Sequence, residues 1–389
     1  MARSSQSLPG RHTVGYHLLE LTALSGEFPS DQLSRLSGGE AYKASVVQAL
    51  KQKRLLHTYY RDRLRGYRLT AKAKELLAAD QPQRFCSCLA GSAETNHIKS
   101  ELFRRQRLHR IAEATVTMQN AGVVIYRDEK PDIFCPVWEK DFRFPVASPT
   151  FYNSREIKEL GKVTVKIKGA RSVGVLLAEE GVFITYNMGD ALMKWQYRAE
   201  LRTKTLMQTI LCRERLPEQY VPEDVKGLLL GNSMELAADI LSGEGGKQYL
   251  LLDGSYDHFY FLTNDRRGEK ILRLLCGTEL SDQLEAVLRT DLFDKDEGLP
   301  IENDAIDGNR NPVLFGYTCD LPRIKHFDTA LRLQNKAGTL ICFDFQRDAL
   351  RRCCGKQMQF QAIDFNKLEM SKTTFCKRCG TIYSKTQIL

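Results

Sequence analysis

Hydrophobic residues first recur at helical spacing at Val14, Leu18, Leu21 and Leu24, one face of a helix that Gly26 is placed to end. Apolar positions three or four residues apart form one stripe, and a glycine just past them supplies the left-handed cap. Pro29, Ser30 and Asp31 then open a short second helix carrying Leu33 and Leu36, followed by a Gly38-Gly39 turn. A third helix is expected over 40–55, with Val47, Leu50 and the aliphatic stem of Arg54 inward. Tyr42, Ser45 and Gln48 face outward, and Lys43 lies near its start. The period then changes. Thr58, Tyr59 and Tyr60 are strand formers, and segments 57–61 and 67–70 predict a β-hairpin. Its tip gathers Arg61, Arg63, Arg65 and Arg68 around Gly66, and a fourth helix over 71–79 closes the unit.

Three helices followed by a basic hairpin is the order of a winged helix-turn-helix, expected over residues 10–80. In that architecture the third helix presents polar side chains to the major groove, while wing arginines neutralise phosphates or enter the minor groove. Tyr42, Lys43, Ser45 and Gln48 are then the residues toward base edges, and Arg61, Arg63, Arg65 and Arg68 those toward the backbone. Residues 81–95, rich in Gln, Pro, Ser and Gly without periodicity, read as a linker. From 96 to 119 the pattern is helical, with Leu102, Leu108, Ile111 and Met118 on or near one side. Arg104, Arg105, Arg107 and Arg110 lie on the other, either a solvated flank or a second phosphate-contacting surface beside the wing.

Beyond residue 123 strand-like and helix-like pieces alternate. Strands are expected at 123–126 and 151–152, a helical turn over 154–160 capped by Asn153 or Ser154, a hairpin of 172–177 with 182–186, and a helix over 190–212. A polar linker at 217–222 separates a second part, with helices at 231–241 and 269–276, a hairpin of 249–252 with 259–263, and an exposed loop at 291–311. Two strand-helix units follow, 313–318 with 325–333 and 339–345 with 347–352. This alternation predicts α/β layers with buried strands, α+β for the chain as a whole. The expected divisions after the linker are 96–216, 217–345 and a Cys-rich element over 346–389.

Composition narrows the classes. With 389 residues, 42% hydrophobic and 27% charged, the chain is ordinary for a globular protein and long enough to bury its cores without disulfides. No apolar run approaches the ~18 residues of a membrane span, and the polar start lacks a signal-peptide core, so a cytoplasmic protein is expected. Charge is informative only by position. Residues 1–115 hold 19 Lys+Arg and 10 Asp+Glu, 19 − 10 = +9, which is the whole formal charge; the remaining residues balance at 38 against 38. The basic excess thus coincides with the expected wing and its neighbouring helix, where duplex DNA is the expected partner.

Three further constellations bear on chemistry. Pro131-Asp132 followed by Glu156-Ile157-Lys158 has the letters of the PD and E-x-K elements of restriction-endonuclease-like nucleases, in which Asp132 and Glu156 would hold Mg²⁺ and Lys158 would activate water. Such a site needs Glu156 and Lys158 on one face of a strand, whereas 154–160 reads as a helix start, where they diverge by roughly 200°. Gly246-Lys247 lacks the glycine spacing and following Ser/Thr of a phosphate loop. Cys376-Lys377-Arg378-Cys379-Gly380 is a good zinc knuckle, and with Cys353-Cys354 it makes a zinc-ribbon-like element one candidate for the C-terminus. Adjacent cysteines rarely chelate together, so Cys342 or His326 could complete the set; free thiols are the alternative.

The order winged helix, linker, basic helix is followed by Phe151-Tyr152-Asn153-Ser154-Arg155-Glu156-Ile157-Lys158 and by Tyr186-Asn187-Met188-Gly189-Asp190-Ala191-Leu192-Met193-Lys194-Trp195. Over residues 10–275 this resembles replication-relaxation-type accessory proteins of bacterial plasmids and conjugative elements. The resemblance implies a DNA-binding protein of a mobile element, acting in replication, mobilisation or transcriptional control. Two other readings are a Mg²⁺-dependent nuclease and an adaptor that docks proteins through its α/β portion.

Overall fold

A computed structural model describes residues 7–89, 100–135, 148–157, 170–295, 298 and 300–366. Thr13 starts the first helix, α1 (Val14–Ser25), by accepting from the Tyr16 amide, and Gly26 ends it at φ 88° with its N–H on the Thr22 carbonyl. A strand pair of residues, β1 (Phe28–Pro29), comes next, and the expected second helix is a 3-10 turn, Asp31–Arg35. Then follow α2 (Glu40–Gln52), β2 (Leu56–Arg61), β3 (Leu64–Leu69) and α3 (Ala71–Asp80). The strands form an antiparallel sheet in the order β1-β3-β2. Asp62 (φ 52°) and Arg63 (φ 61°) make the two-residue turn, both in the left-handed region that a tight hairpin requires. Gly66 is therefore not the turn. It sits in β3 because a Cβ there would come within 2.5 Å of the Glu27 carboxylate.

The expected linker is also different. Residues 82–89 form α4 (Pro82–Leu89), with Phe85 fully buried and Arg84 donating to Glu20, Asp128 and Glu129. Proline at the first position of a helix and a short polar sequence conceal it from periodicity. The basic helix is α5 (Leu102–Asn120). In place of the strand expected at 123–126 there is only an isolated bridge, Val124 with Thr150.

A five-stranded sheet follows, built from β4 (Thr150–Asn153), the short α6 (Ser154–Ile157), β5 (Gly174–Ala178), β6 (Gly181–Gly189), α7 (Tyr197–Met207) running into a π-helical stretch to Arg215, β7 (Val225–Gly231), α8 (Glu235–Ser242) and β8 (Phe259–Thr263). Its order is β4-β5-β6-β7-β8, antiparallel across the first three strands and parallel across the last three. The expected hairpin of 249–252 with 259–263 is thus replaced by β8 lying parallel to β7, a strand the sequence pattern did not disclose. Val225–Gly231 has no polar alternation because both faces are covered, as parallel strands require.

The last part comprises α9 (Arg266–Cys276), α10 (Thr278–Leu288), β9 (Phe293–Asp294), β10 (Ala305–Ile306), β11 (Pro312–Phe315), α11 (Leu321–Gln334), β12 (Gly338–Phe343), α12 (Asp344–Cys353) and β13 (Met358–Ile363). A second five-stranded sheet runs β13-β12-β11-β10-β9. The strand-helix units expected at 313–352 are present, and the chain is mixed α/β with three sheets.

Alternation along the strands of the first large sheet divides the core. Phe151, Leu176, Phe183, Leu228, Leu230 and Leu262 share one cluster with α1, α5 and α9, whereas Tyr152, Val175, Leu177, Ile184, Leu229 and Phe261 share another with α8 and α11. The N-terminal module is therefore continuous with the body through α5. Arg155 adds to this joint by donating to the Ala23, Leu24 and Cys88 carbonyls. Helix α9 lies so close to β8 that a Cβ on Gly268 would be 1.9 Å from the Thr263 carbonyl oxygen. Gly268→Ala should cost about 1–3 kcal/mol through this overpacking, read as a lower urea midpoint; an unchanged midpoint would disprove the close contact.

Candidate nucleic-acid interface

The expected DNA-facing residues divide into two groups. On α2, Tyr42 is 49% exposed, and Ser45 and Gln48 are exposed beside it. Lys43 does not join them. Its place on the helix turns it toward the 3-10 segment, where Nζ donates to the Ser34 carbonyl at 3.1 Å and pairs with Glu40 at 2.7 Å. On the hairpin, Arg61, Arg63 and Arg65 are exposed, with Arg63 in the turn itself, and Tyr60 is 68% exposed opposite Arg65 in the strand pairing. Arg104 at the start of α5 is exposed and pairs with Glu101.

Arg68 and Arg105 point the other way, and the expectation that they hold phosphates is corrected. Both converge on Glu27, whose side chain is fully buried: Arg68 donates at 2.7 Å and Arg105 at 2.6 Å, with His109 Nε2 at 2.9 Å. A buried guanidinium needs a paired carboxylate to offset its desolvation, and Glu27 supplies it to two. Arg105 also donates to the Arg61 carbonyl at 2.7 Å and the Leu64 carbonyl at 3.1 Å, on either side of the hairpin turn. The Tyr59 ring covers both cations, 3.7 Å from the Arg68 and 4.6 Å from the Arg105 guanidinium carbon. Burial alone would raise the Glu27 carboxyl, but the hydrogen bonds from His109, Arg105 and Arg68 outweigh it and hold it down at about 2. The two inward arginines thus fix the hairpin against α5 while the three outward ones are left at its tip.

The nuclease-like letters do not assemble as that chemistry needs. Asn153 caps α6 by accepting from the Arg155 and Glu156 amides, so Glu156 sits on a helical turn and not on a strand. Its carboxylate is held by buried Lys130 at 2.9 Å and by the Asn153 side chain at 2.8 Å. Asp132 is paired with Arg127. Lys158 lies outside the described residues.

Of the expected zinc ligands, Cys353 ends α12 with Sγ on the Leu350 carbonyl and Cys354 follows it; Cys376 and Cys379 lie outside the described residues. Cys342 is fully buried in β12, and His326 is exposed on α11. Among the described residues no group of three or more His, Cys, Asp or Glu is placed to hold a metal ion. No helix among them is long and apolar enough to cross a membrane.

One polar assembly has no counterpart in the sequence expectations. At the carboxyl ends of β6, β7 and β8, the Asn264 amide donates to Asn187 and Asn232, each at 3.0 Å, and Asn232 donates to Asp190 at 2.7 Å. Asn187 reaches across to α5, donating to the Arg110 carbonyl at 3.0 Å and to Glu113 at 2.8 Å. In the sequence, only the proximity of Asn187 and Asp190 signals it. No family model, curated protein or solved structure matches this chain.

Proposed function

We propose that residues 10–80 are a winged helix-turn-helix that binds duplex DNA, with α2 at the bases and the hairpin as the wing. Tyr42, Ser45 and Gln48 approach base edges, and Arg61, Arg63 and Arg65 hold phosphates. The observation that carries this reading is the sorting of the hairpin arginines. Arg68, nearer the strand end, is spent on Glu27 together with Arg105 of α5, and Arg61, Arg63 and Arg65 are exposed in and beside a two-residue turn fixed to α5. A purely structural hairpin gains nothing from three exposed tip cations, whereas a wing needs them held at constant height above the recognition helix. The likeness of the patches around Tyr152 and Asn187 to replication-relaxation-type proteins supports an accessory or regulatory role in a bacterial mobile element. Residues of both patches tie the module to the body: Arg155 to α1 and Asn187 to α5.

Binding of a fluorescent duplex, followed by anisotropy over a salt series, tests the reading. Three wing contacts should give a log-log slope of about −3, near 0.9 per phosphate. A chain that shows no salt-dependent binding to any duplex is the adaptor instead. Selection of bound genomic fragments would then show whether a target motif exists and whether it is symmetric.

A further inference from the structure

Helix α5 carries a second set of arginines on a side that meets the large sheet. Arg107 donates to the Ala170 carbonyl at 3.2 Å, the Ser172 carbonyl at 2.9 Å and Ser154 Oγ at 3.4 Å, so its guanidinium rests on the segment leading into β5. Its Nε is buried without a hydrogen-bond partner. Arg171 lies between the two carbonyls that Arg107 holds, and its side chain is exposed. Arg110, three residues along α5 from Arg107, is half-buried, and Asn187 occupies its carbonyl. Neither the Arg110 nor the Arg171 guanidinium has an acceptor or an acidic partner within bonding distance among the described residues.

Arg107 is thus seated on the backbone either side of Arg171, with Arg110 one helical turn along α5, and among the described residues the three have neutral acceptors or none, and no ion pair. Burial, and next the charge of Arg171, push Arg107 below its ordinary range. Burial also leads at Arg110, with Glu113 opposing it and Arg171 adding to the depression. The two nearby carboxyls partly offset this, but neither pairs with these guanidiniums, and burial pushes both Glu113 and Glu200 upward. Glu113 accepts from Asn187, and Glu200 accepts from the Arg171 backbone amide. Repulsion among unpaired cations is relieved when an anion enters, and planar guanidiniums suit a tetrahedral oxyanion that takes several donors.

We propose that Arg107, Arg110 and Arg171 form a binding site for a phosphate group, carried by a nucleic-acid backbone or present as inorganic phosphate. The site stands apart from the wing and does not depend on it. Arg107 anchors the floor, while Arg110 and Arg171 supply free donors.

The test uses the full chain and an R110Q/R171Q variant, with R171Q alone as the milder change at an exposed position. Calorimetric titration with inorganic phosphate should show binding to the wild type that weakens at least tenfold in R110Q/R171Q and partly in R171Q. Duplex titration separates the sources. If the backbone is the occupant, the double variant loses about two units of salt slope, and inorganic phosphate competes with DNA. If free phosphate is the occupant, the DNA slope is unchanged while phosphate binding is lost. The proposal is overturned if both variants, folded by circular dichroism, bind phosphate and DNA as the wild type does, or if the wild type binds neither. Loss of wing binding in an R61A/R63A/R65A chain leaves the phosphate titration intact, so failure of one reading is distinguishable from failure of the other.

Discussion

Glu27→Ala should destabilise the N-terminal module by about 3–5 kcal/mol, the cost of removing one partner from a buried ionic cluster. The side chains of Glu27 and Arg105 are fully buried and that of Arg68 is 9% exposed, so without the carboxylate two guanidiniums remain desolvated and uncompensated. Glu27→Gln keeps an acceptor but loses the charge, and should fall between wild type and alanine. Urea unfolding followed by circular dichroism provides the measurement. An alanine variant within about 0.5 kcal/mol of wild type, the range of ordinary surface changes, would remove the cluster from any structural role. Acid unfolding gives a second check. The carboxyl is lowered from 4.5 to about 2 in the folded chain, so its stabilisation is complete above pH 4.5 and is lost as pH falls through 2. Wild type should therefore lose stability across that window by an amount that the alanine variant lacks.

Much of the fold is legible where one face of an element is wet or its ends carry a specific cap. Helix α1 ends at Gly26 as expected, Asn153 caps α6, and the β5–β6 hairpin turns between Ala178 and Gly181. The strand-helix units from β11 to α12 follow the same logic. Strands covered on both sides escape this reading. Leu228, Leu229 and Leu230 are all fully buried, and an apolar run of that kind carries no period.

The inward charged residues escape the sequence pattern for a different reason. A rule that sends Lys and Arg to solvent holds until a partner distant in sequence is brought alongside. Arg105 and Glu27 are separated by 78 positions, and Arg68 and Glu27 by 41. Nothing local to Arg105 distinguishes it from Arg104, although one is fully buried and the other has a side chain 57% exposed. Gly66 was visible as a glycine, but its purpose, space for the Glu27 carboxylate, depends on β1 pairing with β3. The same limit applies to Asn187, Asn232 and Asn264, which meet only because three parallel strands end together.

The sorting of inward and outward arginines gives the largest expected functional effect. Replacing Arg61, Arg63 and Arg65 together by alanine should weaken duplex binding about 100-fold, on roughly 1 kcal/mol for each contact. The salt slope should drop by about three units. Stability should hardly change, since these side chains are exposed and the turn conformation at Asp62 and Arg63 is carried by the backbone. Arg68→Ala should do the reverse, lowering stability through the Glu27 cluster and leaving the salt slope of the folded fraction intact. Tyr42, Ser45 and Gln48 form a third class: their substitution should alter which sequences are preferred with little effect on the slope, because base contacts release no counterions. If the triple variant keeps both its affinity and its slope, the hairpin is not a wing, and the exposed cations at its tip have no part in binding DNA.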